Sequence, residues 1–515
     1  METIKEENII ERPPVVVIMG HIDHGKSTLL DYIRKTNIVE KEAGGITQKI
    51  TAYEVLHTSP ESKQEKKITF IDTPGHESFS KMRERGAQVA DIAILIVSAE
   101  DGVKPQTIEA WKTIEENKIP CIVAINKIDK TNANTEKTKT ELVENEIYLE
   151  NYGGKIPFVE ISAKTGKGVD DLLSLINLLA EMENFTGNKE INASGFVIEA
   201  KLDSKRGMQA TLIIKNGTLK RGMFVVVEDS FCSTNIMENF LGKAVDEATF
   251  SSPIRLVGFC KIPKIGAEFK SFNNKKEAEK YMEEFSSLKL DSGNSKKSDL
   301  FPPEENNKKI IPIILKADIA GSIEAIEKEV NKINYGPNSE INKNAEFKIV
   351  QKGVGPIGES DIKTISGGEN VLVIGFNVKI DKSAIDLADK RGIAISFFDV
   401  IYKMTEWLEG EMEKRRPKIE TIETTGNAKI LKVFSRTKER QIVGGRVLKG
   451  RIVLDKIVKI MRRDFEIGKG KIVNLEKAKA KVKEVEEGAE FGMMIESKIE
   501  IAEGDMIESF NITQK

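Results

Sequence analysis

The chain changes its apolar rhythm several times, and each change predicts a boundary. Over residues 13–183, short apolar runs alternate with stretches of helical spacing. Val15-Val-Val-Ile-Met19, Ile68-Thr-Phe-Ile71, Cys121-Ile-Val-Ala-Ile125 and Phe158-Val-Glu-Ile161 read as buried strands, and Thr28-Leu-Leu-Asp-Tyr-Ile-Arg34 as a helix. That alternation predicts a parallel, three-layer α/β domain. Residues 1–12 read as a polar leader, and Asn184 to Glu190 as a polar linker. From about residue 190 to 272 the pattern becomes short strands with glycine turns, as in Ala210-Thr-Leu-Ile-Ile214, Asn216-Gly217 and Phe224-Val-Val-Val227, which predicts an antiparallel β-barrel. Residues 273–309 read as a helix over Lys275 to Phe285, then a Ser-, Asn-, Lys- and Pro-rich linker from Lys289.

Strand–helix alternation returns over residues 310–400. Ile310 to Leu315 and Val371 to Phe376 are the expected strands, with Asp318-Ile-Ala-Gly-Ser322 capping a helix over Ile323 to Ile333. This α/β/α domain has no phosphate loop, and Gly353-Val-Gly-Pro-Ile-Gly358 reads as turn chemistry, so no second nucleotide is expected. A long helix is expected across residues 401–417, ending near Pro417 because proline disfavours the α region in the residue before it. Residues 418–515 are strand-rich, with Gly444-Gly445, Gly450, Gly468, Gly470, Gly488 and Gly504 as turns, and predict a second β-barrel. The fold class is therefore α/β multidomain.

Composition narrows the class. With 39% hydrophobic and 31% charged residues, the 515-residue chain is suited to globular folding in three to five domains. Cys121, Cys232 and Cys260 are too scattered for a disulfide framework or a zinc site. No apolar run approaches a membrane span and the acidic N-terminus has no apolar targeting core, so a cytoplasmic location is expected. The net charge of −2 hides a segregation: Lys429 to Lys481 holds 17 Lys/Arg against 5 Asp/Glu, and Glu484 to Glu508 holds 9 acids against Lys498 alone. The basic stretch could supply salt-sensitive phosphate affinity, or the two stretches could pair across the barrel.

Four motifs carry the chemistry. Gly20-His-Ile-Asp-His-Gly-Lys26-Ser27 fits G-x-x-x-x-G-K-[ST] between a strand and a helix, the context of a phosphate-binding loop. Backbone N–H groups of Gly20, His21, Ile22, Asp23, His24 and Gly25, and the helix N-terminus at Lys26, Ser27 and Thr28, would cradle phosphates. Lys26 should reach the outer phosphates and Ser27 should bind Mg²⁺. Asp72-Thr73-Pro74-Gly75 follows a strand; Asp72 can hold Mg²⁺ through water, and Gly75 can bring its N–H to a γ-phosphate. In Asn126-Lys127-Ile128-Asp129, Asp129 can accept two N–H groups from guanine, which adenine does not offer, while the Lys127 stem covers the base. Ser162-Ala163-Lys164 would present N–H groups to the guanine oxygen. GTP or GDP with Mg²⁺ is thus expected. His76, next to Gly75, is placed to orient an attacking water; His21 and His24 could do no more than shape the loop.

The phosphate loop resembles that of translational GTPases. Glu42-Ala-Gly-Gly-Ile-Thr-Gln48 resembles the first switch of bacterial-type translation initiation factor 2 and its archaeal and eukaryotic relatives, and Arg85-Gly-Ala-Gln88 and Asp101-Gly-Val-Lys-Pro-Gln106 look like the bacterial branch. Leu315-Lys-Ala-Asp-Ile-Ala-Gly-Ser322, Val373-Ile-Gly-Phe-Asn-Val378 and Val400-Ile-Tyr402 resemble that family's third domain. The resemblance runs from about Pro13 to the C-terminus and implies a GTPase that binds formyl-methionyl initiator tRNA, joins the ribosomal subunits and is activated by the ribosome, acting as a monomer off it. It makes Thr47 a switch ligand of Mg²⁺ in the GTP state and His76 the catalytic histidine. It also implies a tRNA site on the last barrel, with Lys477, Lys479, Glu490 and Gly492 as candidates. There the chain departs from the pattern: Gly445 stands where the family's cysteine is expected, and Leu475-Glu-Lys-Ala-Lys479 has no aromatic residue. The family's long N-terminal extension is expected to be absent. The alternatives are an archaeal or eukaryotic-type factor without formyl specificity, a ribosome-assembly GTPase, and a GTP-dependent scaffold that does not hydrolyse productively.

Overall fold

A computed structural model describes residues 9–35, 47–58, 65–292, 309–336, 345–365, 371–415, 420–437, 439–463 and 465–514. The chain forms two compact units, residues 1–415 and 416–515. No helix among the described residues is long and apolar enough to cross a membrane.

The first unit begins with a six-stranded sheet in the order Thr51–Thr58, Glu65–Asp72, Val15–Gly20, Ile92–Ser98, Cys121–Asn126, Phe158–Glu160. All neighbours are parallel except the edge strand Thr51–Thr58. Every residue of the three central strands is buried. Helices cover both faces, so these strands carry unbroken apolar runs rather than alternating ones. The C-terminal ends of the parallel strands point to one edge, where the four motifs follow them.

A seven-stranded antiparallel sheet between Ser194 and Phe272 comes next, wrapped on its own core around Val197, Leu212, Val225 and Phe269. The third domain is a four-stranded parallel sheet ordered Ala345–Val354, Lys309–Ala317, Leu372–Phe376, Ile395–Phe398. Ile313 and Leu315 pack toward Ile326, Val330, Met404 and Leu408, whereas Ile314 packs toward Ile362, Ala384 and Ala388. Alternation along one strand thus serves helices on both faces.

Several sequence-based boundaries shift. The leader and the first linker are not featureless: Ile9–Glu11 pairs antiparallel with Thr186–Asn188. Arg12 anchors the pair, donating to both Asp91 carboxylate oxygens at 2.6 and 2.7 Å while its backbone N–H bonds Phe185 O. The helix expected to stop at Phe285 runs Lys275–Ser292, so it includes the first residues assigned to a linker; the rest of that linker, 293–308, lies outside the described residues. The helix expected from Ile323 starts earlier and runs Ala320–Tyr335 with no side-chain cap. Asp318 is engaged otherwise: it accepts from Ser322 Oγ and Ile319 N–H, and its second oxygen pairs with Lys49. The helix expected over 401–417 spans Ile401–Arg415, and its buried stripe of Ile401, Met404, Leu408 and Met412 belongs to the third domain's core. Residues 416–419, including Pro417, lie outside the described residues.

The second unit is a closed antiparallel barrel. Six strands follow one another as Glu420–Arg436, Met506–Gln514, Ile457–Arg462, Phe465–Lys477, Glu490–Glu496 and Arg440–Val453, and the last pairs back onto the first. Ile430, Val443, Ile460, Ile472, Met493 and Ile507 fill its interior. Closure removes the exposed sheet edges that a strand-rich domain must otherwise protect.

Candidate functional site

The phosphate loop is shaped by glycines that nothing larger could replace. Gly20 has φ +147, and a Cβ there would come within 2.4 Å of Ile96 O. Gly25, at φ +92, ends the loop as the N-terminal cap of Lys26–Arg34; a Cβ there would strike the Asn126 amide at 2.3 Å. Asn126 is the loop's brace: its Nδ2 donates to His24 O at 2.8 Å, and its Oδ1 accepts from Ala163 N–H at 2.9 Å. One side chain therefore ties the phosphate loop to the segment carrying Ser162, Ala163 and Lys164.

Lys26 Nζ lies within the loop, donating to Gly20 O and His21 O at 3.0 and 2.7 Å. Burial lowers its pKa to about 8, opposed by Asp72 and assisted by Arg83. Gly75 sits against it: a Cβ on Gly75 would be 2.5 Å from Nζ. Thr73 Oγ1 donates to Ile18 O, locking the Asp72–Gly75 segment onto the neighbouring strand. Ile22 N–H donates to Gln106 Oε1 at 3.2 Å, while Asp23 and Thr28 are exposed at the mouth.

Ser27 Oγ and Thr47 Oγ1 approach to 2.8 Å, with buried Asp72 at the end of the adjoining strand. Two hydroxyls and a carboxylate are hard oxygen donors, and the spacing is close to the ~3 Å edge of a Mg²⁺ octahedron with ~2.1 Å bonds. Among the described residues no cluster of three His, Cys, Asp or Glu offers a site for a softer metal. Glu42 to Ile46 of the switch segment lie outside the described residues.

At the other end of the site, after the strand Cys121–Asn126, Asp129 accepts from Ser162 Oγ at 2.7 Å; this bond holds its pKa below the usual carboxylate value. Lys127 adopts φ +67 and pairs with Asp101 at 3.1 Å, and half-buried Ile128 packs on the core. His21 and His24 meet edge to face at 4.9 Å. Burial is the main cause that lowers the pKa of His24 to about 3, with His21 assisting.

His76 faces residues that no local pattern announces. Its Nδ1 is 3.0 Å from Ser78 N and 2.5 Å from Ser78 Oγ, and Ser78 Oγ is 2.6 Å from Glu329 Oε1. The Tyr402 ring meets it at 4.4 Å and 81°. Arg83, 2% exposed, donates to Pro74 O and His76 O and pairs with Glu109. Lys328 donates to Glu77 O and Ser80 Oγ at 2.8 Å. Gln48, beside Thr47, donates to Asp399 O at 2.9 Å and accepts from Ile401 N–H at 3.2 Å, clasping the start of the Ile401–Arg415 helix. The third domain therefore touches both segments that flank the phosphate loop.

In the second unit, Glu490 lies opposite Arg446 and Gly492 lies between Gly444 and Glu476 on neighbouring strands. Lys477 and Lys479 are exposed at the next hairpin, whose turn residues Ala478 and Lys479 both have positive φ. The four candidates thus share one region of three adjacent strands. Exposed Phe434, unforeseen from the sequence, covers Gly444. Part of the segregated charge pairs across the two stretches: Arg436 with Glu500, Arg440 with Glu496, Arg451 with Glu484 and Arg462 with Asp505.

Comparison with known proteins agrees with this architecture. Residues 11–182 match the Elongation factor Tu GTP binding domain, 192–272 Elongation factor G domain 2, 289–409 Translation-initiation factor 2 and 425–508 Elongation factor Tu domain 4. The chain is 41% identical to "Translation initiation factor IF-2" of Anoxybacillus flavithermus over 510 residues, covering 98% of this chain and 69% of that protein. It belongs to the translation initiation factor IF-2 family. The IF-2 of Bacillus subtilis (strain 168) is 40% identical, across 99% of this chain and 70% of its own length. Among solved structures, GDP-bound aIF5B from Aeropyrum pernix aligns with 98% of this chain and 92% of its own at 27% identity, with a TM-score of 0.45. As an IF-2 family member, the protein is a guanine-nucleotide-binding translation initiation factor that hydrolyses GTP.

Proposed function

We propose that this IF-2 family GTPase carries formyl-methionyl initiator tRNA to the small ribosomal subunit, promotes joining of the large subunit, and hydrolyses GTP when the ribosome completes its active site. It would act in the cytoplasm, as a monomer off the ribosome. The observation that carries the GTPase part is the 2.8 Å approach of Ser27 and Thr47 beside Asp72 and Lys26. Ser27 and Thr47 would hold Mg²⁺ directly and Asp72 through water. The bound ion would neutralise charge on the β- and γ-phosphates. With GTP bound, the γ-phosphate would hold the Thr47 segment against that oxygen set, and loss of the γ-phosphate on hydrolysis would weaken that hold, which makes Thr47 the switch. Gly20 to Thr28 bind phosphate, Gly75 reports the γ-phosphate, and Asn126, Lys127, Asp129 and Ser162 to Lys164 shape and read the base.

His76 orients the attacking water. In His76→Ala, ribosome-stimulated turnover is expected to fall about a hundredfold or more while GTP binding stays intact; undiminished turnover would remove His76 from the mechanism. Lys477, Lys479, Glu490 and Gly492 would meet the aminoacyl end of the tRNA. One observation favours a site without formyl selectivity: a Cβ at Gly445 would lie 2.5 Å from Lys429 O, so this barrel is built around the absence of the family's cysteine. Titrating the full chain with formylated and unformylated initiator tRNA across a salt series separates the two. Preference for the formylated form supports the bacterial-type role; equal, steeply salt-dependent binding leaves only phosphate contacts.

A further inference from the structure

Ser78 stands between a histidine and a carboxylate with one hydroxyl proton to give. Its Oγ is 2.5 Å from His76 Nδ1 and 2.6 Å from Glu329 Oε1, and its backbone N–H also points at Nδ1 over 3.0 Å. The proton can serve one acceptor at a time. If it goes to Nδ1, the backbone N–H agrees with it, the neutral ring carries its hydrogen on Nε2, and Glu329 loses the donor that Ser78 offers. If it goes to Glu329, the Oγ lone pair faces the ring, so Nδ1 must carry the hydrogen and Nε2 keeps its lone pair. Ser78 is 2% exposed and Glu329 5%, so solvent has little access to replace a missing donor. Holding the ring hydrogen on Nδ1 gives up the 3.0 Å bond that Nδ1 accepts from the Ser78 backbone N–H, and leaving a buried carboxylate oxygen without its donor costs more than that one bond.

We propose that Glu329, acting through Ser78, is a positioning residue for His76: it holds the ring hydrogen on Nδ1 and leaves the Nε2 lone pair to accept a hydrogen bond from the hydrolytic water. Tyr402, edge to face at 4.4 Å, fixes the plane of the ring. The logic is that of a carboxylate orienting a histidine in a triad, with a serine interposed. Glu329 lies on Ala320–Tyr335, 251 residues from Ser78, so the third domain sets the state of a residue in the nucleotide domain. The proposal rests on the role given to His76 above.

The chain has only four histidines, which makes the test direct. Ring-¹⁵N spectra of the full-length, ¹⁵N-histidine-labelled protein at pH 8 distinguish the two tautomers, with His76 assigned by its loss in His76→Gln. The wild type is expected to carry the hydrogen on Nδ1. Ser78→Ala and Glu329→Ala, which break the relay at different points, are each expected to move it to Nε2. Both should lower single-turnover GTP hydrolysis at saturating ribosomes by about tenfold or more, with GTP affinity within about twofold of wild type. A wild-type ring already protonated on Nε2, a tautomer unmoved in both variants, or a moved tautomer with unchanged hydrolysis would each overturn the proposal. Full turnover by His76→Ala would instead overturn the role of His76 itself; the tautomer spectra do not depend on turnover, so the two failures are separable.

Discussion

Asp129 is held in the ionised form that the guanine-reading role proposed for it requires. The Ser162 hydroxyl occupies one oxygen at 2.7 Å and keeps the group ionised below the usual carboxylate range. An ionised carboxylate accepts from both N1–H and the 2-amino group, whereas an amide in its place sets a donor against one of them. Asp129→Asn is expected to weaken GTP binding by roughly a hundredfold and to admit xanthosine nucleotides in competition binding; unchanged base preference would refute the assignment. His24, fully buried, yields a pH effect instead. Its pKa is about 3 in the fold against 6.5 in the open chain, mainly through burial. Between those values the unfolded chain holds the extra proton, so this contribution to stability is intact above about pH 6.5 and is lost as pH falls. In urea unfolding, the stability lost between pH 7.5 and pH 5.5 is expected to be about 1.4 kcal/mol smaller in His24→Asn than in the wild type. Equal losses would mean that the ring is protonated in the fold.

At the scale of elements, two glycines of the final barrel separate architecture from function. A Cβ on Gly445 would lie 2.5 Å from Lys429 O and 2.7 Å from Phe491 Cζ, because adjacent strands close tightly there. Restoring the family's cysteine by Gly445→Cys is expected to destabilise the barrel by about 1–3 kcal/mol through overpacking, read as a lower midpoint in thermal unfolding. A Cβ on Gly492 would meet nothing within 4 Å. Gly492→Ala is therefore expected to leave the midpoint unchanged or raised, yet to weaken initiator tRNA binding if a tRNA end packs there; a lowered midpoint would show a structural need for the glycine. The elements most legible in the sequence were those whose signal is local. Strands buried on both faces print unbroken apolar runs, and each nucleotide motif is one loop at the end of one strand. The pairing of Ile9–Glu11 with Thr186–Asn188 was not legible, since three residues are too few to show a period. Ser78, Gln48, Tyr402 and Glu329 escaped for a different reason. Gln48 reaches Asp399 across 351 residues and Ser78 reaches Glu329 across 251, and no spacing along the chain encodes such contacts.

At the scale of the whole molecule, the cores decide how it should melt. The nucleotide domain and the third domain share one apolar cluster, in which Val17, Leu95 and Met82 are continuous with Ile313, Ile326 and Leu408. The antiparallel domain joins them through Ile198 and Ile213. Residues 416–515 keep a separate core whose members all lie between Ala428 and Ile507. A ligand stabilises only the cooperative unit that binds it, by RT ln(1 + [L]/Kd), which is about 2.7 kcal/mol at a hundredfold excess over Kd. Calorimetry of the full chain is therefore expected to show two transitions, of which GDP raises only the one belonging to residues 1–415. The barrel's transition should instead respond to salt, because Arg436, Arg440, Arg451 and Arg462 meet acids across its strands and exposed pairs weaken with screening. If GDP raised both transitions by the same amount, the two units would be energetically one body. The third domain could then pass its contacts at His76 and Gln48 directly into the barrel's stability, and a change of nucleotide would register at the tRNA site proposed for the barrel without the ribosome.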